Sequence, residues 1–243
     1  EEEETTNYNF DTNNLSFSID LRRSLNENWD VNFGYSSLER VPSVVELFMN
    51  GPHLATGRFE VGNTNLATET SNNIDLGVSY ANDIFFASLS FFINDVDNYV
   101  YLMDMHEEEH HDEDEDHDEE EHEEGHDDHG GLILANYLQE DAELDGYELE
   151  IGRVFNLASG DLEVSFSRDV VNGSLSSGMN IPRMSPARNI YSVGYSVNDY
   201  LFDLSFKDVD SQTDTAEEES ATSGYQMLDA KLVRTFDLNG SSL

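Results

Sequence analysis

Ile74-Asp75-Leu76-Gly77-Val78-Ser79-Tyr80, a three-residue link Ala81-Asn82-Asp83, and then a longer extended run over 85–103 decide the fold. In the first run every second residue is apolar, and the residues between are small or polar. A period of two places successive side chains on opposite faces, so this is a β-strand with one apolar face and one polar face. The three-residue link makes the next run its antiparallel partner.

The same alternation recurs outward in both directions. Leu15, Phe17, Ile19 and Leu21 alternate with Ser16, Ser18 and Asp20. Trp29, Val31, Phe33 and Tyr35 do so with Asp30, Asn32 and Gly34. Leu162, Val164 and Phe166 follow the pattern, as do Tyr191 to Val197 and Tyr200 to Phe206. With extended segments at about 135–154 and 224–236, nine strands are predicted. The links alternate in length: 22–28 is short, 36–72 long, 81–83 short, 104–134 long, 156–160 short, 168–188 long, 198–199 short and 210–223 long. A soluble sandwich has no reason to gather its long loops at one end. A transmembrane barrel does, with tight turns on one side of the membrane and long extracellular loops on the other. Aromatics near strand ends (Trp29, Tyr35, Tyr80, Tyr191, Tyr200) suit a membrane girdle. The predicted class is therefore all-β, an antiparallel transmembrane β-barrel. Nine strands in lipid would leave open edges, so further strands are expected to close the wall. The opening Glu1-Glu2-Glu3-Glu4 resembles no export signal and reads as the start of a fragment or a processed product.

The chain has 243 residues, 37% hydrophobic content, no cysteine and a formal net charge of −41. Such acidity excludes nucleic acid as a partner, since phosphate binding needs Lys and Arg. It points to cations. The absence of cysteine removes disulfides, thiolate sites and a thiol nucleophile.

Residues 104–131 read DMHEEEHHDEDEDHDEEEHEEGHDDHGG. Seven of the eight histidines lie here: His106, His110, His111, His117, His122, His126 and His129. Imidazole nitrogen and carboxylate oxygen together suit zinc, with copper, nickel and iron behind it. The tract holds 17 carboxylates, and without them the charge is still −24, so it does not account for all of the acidity. Pairs four apart, His106 with His110 and His122 with His126, would share a helix face if metal induced one. Metal needs neutral imidazole, so capture is expected to weaken as pH falls through the histidine range. The competing reading is an acidic brush that buffers calcium. His53 is the one histidine outside the tract and is an eighth candidate ligand, with Glu46 a possible companion. No G-x-S-x-G elbow is present. The letters H-E-x-x-H at His106–His110 fall in a repetitive acidic run, where they arise by chance. No enzyme is expected.

Arg40-Val41-Pro42-Ser43-Val44-Val45-Glu46-Leu47-Phe48 resembles the R-x-P-S-x-x-E-L-[FY] signature in the barrels of TonB-dependent receptors. Gly62-Asn63-Thr64-Asn65-Leu66 with Glu69 to Gly77 is similar to the family's G-N-x-x-L-x-x-E-x-S-x-x-x-[DE]-x-G, with Thr68 where a proline is usual. Ala142 to Glu150 and Ile181 to Arg188 are similar to its A-x-x-x-G-x-E-[LV]-E strand and its [LI]-P-R-x-P-x-x-R loop. The stretch Gly51-Pro52-His53-Leu54-Ala55-Thr56, together with the His-rich tract, resembles the zinc-uptake branch most.

The resemblance implies that residues 1–243 are part of a 22-stranded barrel in the outer membrane of a Gram-negative bacterium. The plug domain and the TonB-coupling box would lie outside this sequence. It also implies active transport of a metal ion, zinc first, with no prosthetic group. The partners would be outer-membrane lipid, the TonB complex and the ion. The runner-up substrate is an iron complex, a siderophore or haem. The alternative of another class is a soluble metal- or calcium-buffering β-protein. Gly146 within a strand reads as a bulge or bend.

Overall fold

A computed structural model of the chain describes residues 13–105, 131–238 and 241–242. It shows one large antiparallel sheet. The wall strands are β1 (Phe17–Ser24) and β2 (Trp29–Arg40), then β5 (Glu69–Ala81), β6 (Phe85–Asp104), β7 (Ile133–Leu157), β8 (Gly160–Leu175), β9 (Arg188–Val197), β10 (Tyr200–Val209) and β11 (Tyr225–Arg234). They pair in chain order, each with the next, so the nine predicted strands are the nine strands of the wall. β1 and β11 form its two edges, and the sheet is not closed. Between β2 and β5 lie a short helix α1 (Val44–Phe48) and a hairpin, β3 (Asn50–His53) and β4 (Arg58–Val61). These two strands bring the sheet to eleven. Asp237–Leu238 (β12) and Ser241–Ser242 (β13) make a separate two-residue pair.

The register shows how the wall sits in a membrane. One row of outward-facing partners runs Val31, Val78, Leu89, Leu149, Arg168, Asn189, Asp208 and Gln226. It is apolar from β2 to β7 and polar from β8 to β11. A row perpendicular to tilted strands must climb relative to the membrane plane, and this row climbs out of the apolar belt at Arg168. The next row begins beside a short turn at Trp29 and passes through Tyr80, Ala87, Ile151, Phe166, Tyr191, Phe206 and Leu228. Neighbouring rings in it pack together, Trp29 with Tyr80 at 5.0 Å and Phe166 with Tyr191 at 5.1 Å between centroids. Phe33, Leu76, Phe91, Val193, Phe202 and Leu204 stay exposed on this face. A belt of apolar side chains with no protein above it is what lipid covers.

The opposite face carries Asp20, Asp75, Glu148, Glu150, Glu163 and Asp203 among serines and glycines, as a wet lumen requires. Gly146 makes no bulge: it pairs regularly with Phe92 and Val171. Its hydrogen leaves room for the Phe92 ring, which a Cβ would meet at 2.6 Å. The register shift lies instead between Val96 and Tyr99, where Asn98 adopts φ 57°. Asparagine tolerates that left-handed conformation better than other non-glycine residues.

Leu89 sits in the middle of the belt on β6. Leu89→Arg should destabilise the folded barrel by about 2–4 kcal/mol, measured by urea titration in phospholipid vesicles. A cost below about 1 kcal/mol would mean that Leu89 does not face the bilayer core.

Candidate functional site

At the long-loop end the wall is uneven. β8 stops where Leu175 pairs with Ala142, while β7 continues back to Ile133. An uncovered strand edge leaves backbone donors and acceptors unpaired. The β3–β4 hairpin covers it: β4 pairs in parallel with β7, Arg58 opposite Ile133 and Glu60 opposite Ala135. Ala135 is fully buried.

Local sequence sets the hairpin in place. Ser43 and Glu46 form a capping box that starts α1. Arg40 donates to Glu46 at 2.9 and 3.0 Å and to Glu69 at 3.0 and 3.2 Å, and Glu69 also accepts from the Val100 amide. Glu69 and Glu46 hold the Arg40 guanidinium well above its usual pKa. Leu47, Leu66 and Val100 make a small core beneath, with Tyr137 against it. Gly62 is required because a Cβ there would come within 2.7 Å of the Leu47–Phe48 backbone. Glu46 is therefore engaged by a guanidinium and a helix cap, and it does not accompany His53.

The companion of His53 is Glu60. This carboxylate is only 3% exposed. It accepts from His53 Nδ1 at 2.7 Å, Tyr137 Oη at 3.2 Å and Thr56 Oγ1 at 3.5 Å. Nδ1 donates to the carboxylate, so neutral His53 keeps its lone pair on Nε2. The imidazole is about half exposed. A carboxylate that fixes the tautomer and the ring orientation is the usual support of a metal-binding histidine. Burial and the adjacent Glu60 push the Tyr137 hydroxyl up to about 12, so it stays a donor. Among the described residues no group of three or more His, Asp or Glu is set to hold a metal.

β6 ends at Asp104, where the His-rich tract begins. Arg58 grips Asp104 in a fork, Nε to Oδ1 and Nη2 to Oδ2, both at 2.7 Å. Arg183 adds Nη2 to Oδ1 at 2.8 Å and donates from Nη1 to the Leu102 carbonyl at 2.6 Å. Arg183 has φ 61°, a left-handed conformation unfavourable for a side chain of this size. Its amide donates to Glu219 at 3.1 Å, and its guanidinium bonds hold it there. The Arg58 hydrogen bonds keep the Asp104 carboxyl below the ordinary aspartate range. On the other flank, the Ile133 amide donates to Gly57 O at 3.1 Å and the Met105 amide to Leu134 O at 2.9 Å. Both roots of the tract are thus fastened to the hairpin that carries His53 and Glu60. Beside them, loop 176–187 packs Ile181 into a core with Tyr101, Met103, Ala142, Leu175 and Ala216.

Of the eight predicted ligands, His53 is described and His106, His110, His111, His117, His122, His126 and His129 lie outside the described residues. Glu60, Tyr137 and the Arg58–Asp104 fork were not singled out as site residues from sequence. Their only signal was the F-E-x-G-N run, whose glutamate has no visible partner until the hairpin folds.

Residues 2–243 match the protein family described as TonB dependent receptor-like, beta-barrel. The fold is similar to that of the copper transporter OprC, at 17% identity and TM-score 0.68, over 90% of this chain and 31% of that one. It is similar to the siderophore receptor PirA from Pseudomonas aeruginosa, at 16% and 0.55, over 91% and 36%. A ferric enterobactin receptor mutant (PfeA) of the same organism matches at 18% and 0.58, over 90% and 33%. The chain spans about a third of the length of these structures. At such identities the likeness is one of fold.

Proposed function

This chain belongs to the TonB-dependent receptor-like β-barrel family, and we propose that it forms wall and mouth of an outer-membrane active transporter for a metal ion, zinc first. Barrels of this family lie in the outer membrane of Gram-negative bacteria and are transporters, not enzymes. Coupling to the TonB complex and passage of the ion belong to the whole receptor and are part of the proposal.

The observation that carries the metal reading is the meeting of two features. A tract with seven histidines connects Asp104 to Ile133. Those two residues are tied to the hairpin that presents His53 with its Nδ1 proton on buried Glu60. In this reading the tract gathers ions from dilute solution, its negative charge raising their local concentration. His53 Nε2 then offers an oriented nitrogen at the base of the tract. Borderline nitrogen and hard oxygen donors, without thiolate, put zinc ahead of copper(I). The iron-complex reading is favoured by the names of two similar structures, a siderophore receptor and a ferric enterobactin receptor.

Calorimetry on the intact receptor in detergent tests both. Micromolar or tighter zinc binding at pH 7.4, lost at pH 5.5 and little displaced by calcium, is the expected result. Copper(II) should bind at least as tightly as zinc, as the Irving–Williams order requires of nitrogen and oxygen donors, and iron(II) more weakly. Tight binding of a ferric siderophore with no zinc uptake of heat would put the iron complex in zinc's place.

A further inference from the structure

In a chain with 52 acidic and 11 basic side chains, a cation is ordinarily paired. Arg22, Arg40, Arg58, Arg168, Arg183 and Arg188 each make an ion pair with a carboxylate. Arg23, Arg153 and Arg234 have no ion-pair partner among the described residues. All three are exposed. Register places all three on the apolar, outward face: Arg23 opposite Val31, Arg153 opposite Phe85 and Val164, Arg234 opposite Tyr200.

They also share one end of the barrel. Arg23 is the residue before the last of β1, Arg234 is the last of β11, and Arg153 pairs with Phe85, the first residue of β6. Each position adjoins a short turn. Arg153 lies over the Phe155 ring at 4.8 Å, and Arg234 lies between Tyr200 at 5.1 Å and Phe236 at 4.5 Å. A guanidinium held over an aromatic ring by cation–π attraction still has N–H donors for a two-pronged oxyanion contact. Lys207 and Lys231, which also have no ion-pair partner among the described residues, point to the lumen face instead.

The other end of the outward face has the opposite character. Arg168 is engaged there by Tyr147 at 3.1 Å, Asn189 at 2.8 Å and Asp210 at 3.6 Å. Asp145 and Asp208 stand on the same face, opposite Ile93 and Gln226. Anionic headgroups would be repelled at that end and attracted at the short-turn end.

We propose that Arg23, Arg153 and Arg234 form a rim that binds the phosphates of anionic phospholipids in the leaflet at the short-turn end. The occupant is a phosphodiester headgroup with net negative charge, its acyl chains lying along the apolar belt. The rim fixes the height and orientation of the barrel in the bilayer. The inference rests on the outer-membrane placement and is independent of the metal reading.

The test is native mass spectrometry of the intact receptor in detergent, titrated with phosphatidylglycerol and, separately, phosphatidylcholine. The expected result is stronger retention of phosphatidylglycerol. In R23Q, R153Q and R234Q that preference should fall about fivefold per arginine, consistent with the attraction of single basic residues to anionic membrane surfaces. Retention of phosphatidylcholine should be unchanged. An equal fall for both lipids, or no fall for either, overturns the proposal. A salt titration of the wild-type receptor gives a second reading if the variants misfold. The preference should shrink between about 0.05 and 0.5 M salt as screening rises, and a salt-independent preference also overturns it.

Discussion

Replacing His106, His110, His111, His117, His122, His126 and His129 by asparagine should weaken zinc binding to the receptor by about a hundredfold or more at pH 7.4. Loss of a supporting residue alone typically costs about 10- to 100-fold in metal affinity, and this substitution removes the ligands themselves. The 17 carboxylates of 104–131 remain, so some binding persists. Its character should change. Carboxylates titrate near pH 4, far below imidazole, so the remaining binding should be flat from pH 7.4 to 5.5. Calcium should now compete with zinc, because oxygen-only sites suit hard cations. Calorimetry of the two proteins side by side decides it. Unchanged zinc affinity would make the tract an acidic brush. His53→Gln separates the two halves of the proposal. If that single change costs as much as all seven tract substitutions, binding resides in the ordered His53–Glu60 pair.

Asp104→Ala should loosen the base of the tract. The change leaves Arg58 facing an empty position with its side chain only 20% exposed. Breaking one side of a largely buried pair costs about 3 kcal/mol or more. Amide exchange over 58–61 and 133–136 should then run roughly a hundredfold faster, the rate equivalent of that energy. Asp104→Asn, which keeps one acceptor, should cost less. The pH dependence has a definite sign. The Arg58 fork depresses the Asp104 pKa in the folded state. A depressed carboxyl stabilises the fold above its unfolded pKa, near 3.9, and that stability is lost as pH falls through the folded value. The clamp should therefore hold at pH 5.5, where histidine capture is already failing. Protection of 133–136 that disappears between pH 7.4 and 5.5 would contradict this account.

The alternation of single residues carried much of this fold. Ile74, Leu76, Val78 and Tyr80 identify a strand and its faces without any partner, because side-chain direction along a strand is local. Loop lengths then separated the two ends of the barrel. The composition of the tract was equally plain, since seven histidines among carboxylates need no geometry to be noticed. His53 was singled out for the same reason.

What surrounds His53 was not legible. The β3–β4 hairpin consists of two four-residue strands, one holding Gly51 and Pro52, too short for a periodic signal. Its parallel attachment to β7 exists because β7 outruns β8, a fact about two strands far apart in sequence. Tyr137 reaches Glu60 across 77 residues, and Arg58 reaches Asp104 across 46. The A-x-x-x-G-x-E strand misled in one respect. Gly146 makes room for the Phe92 ring, while the register shift fell at Asn98, where no glycine marks it.

The sequence by itself determined the nine wall strands, their two faces, the sidedness of the loops and the residue types of the tract. Each of these follows from residue type and spacing along the chain. The tertiary structure alone decided which carboxylate holds His53, which is bound by arginine, and where the tract is anchored. Those depend on register between distant strands, and a one-residue slip would turn each of these side chains to the opposite face of the sheet.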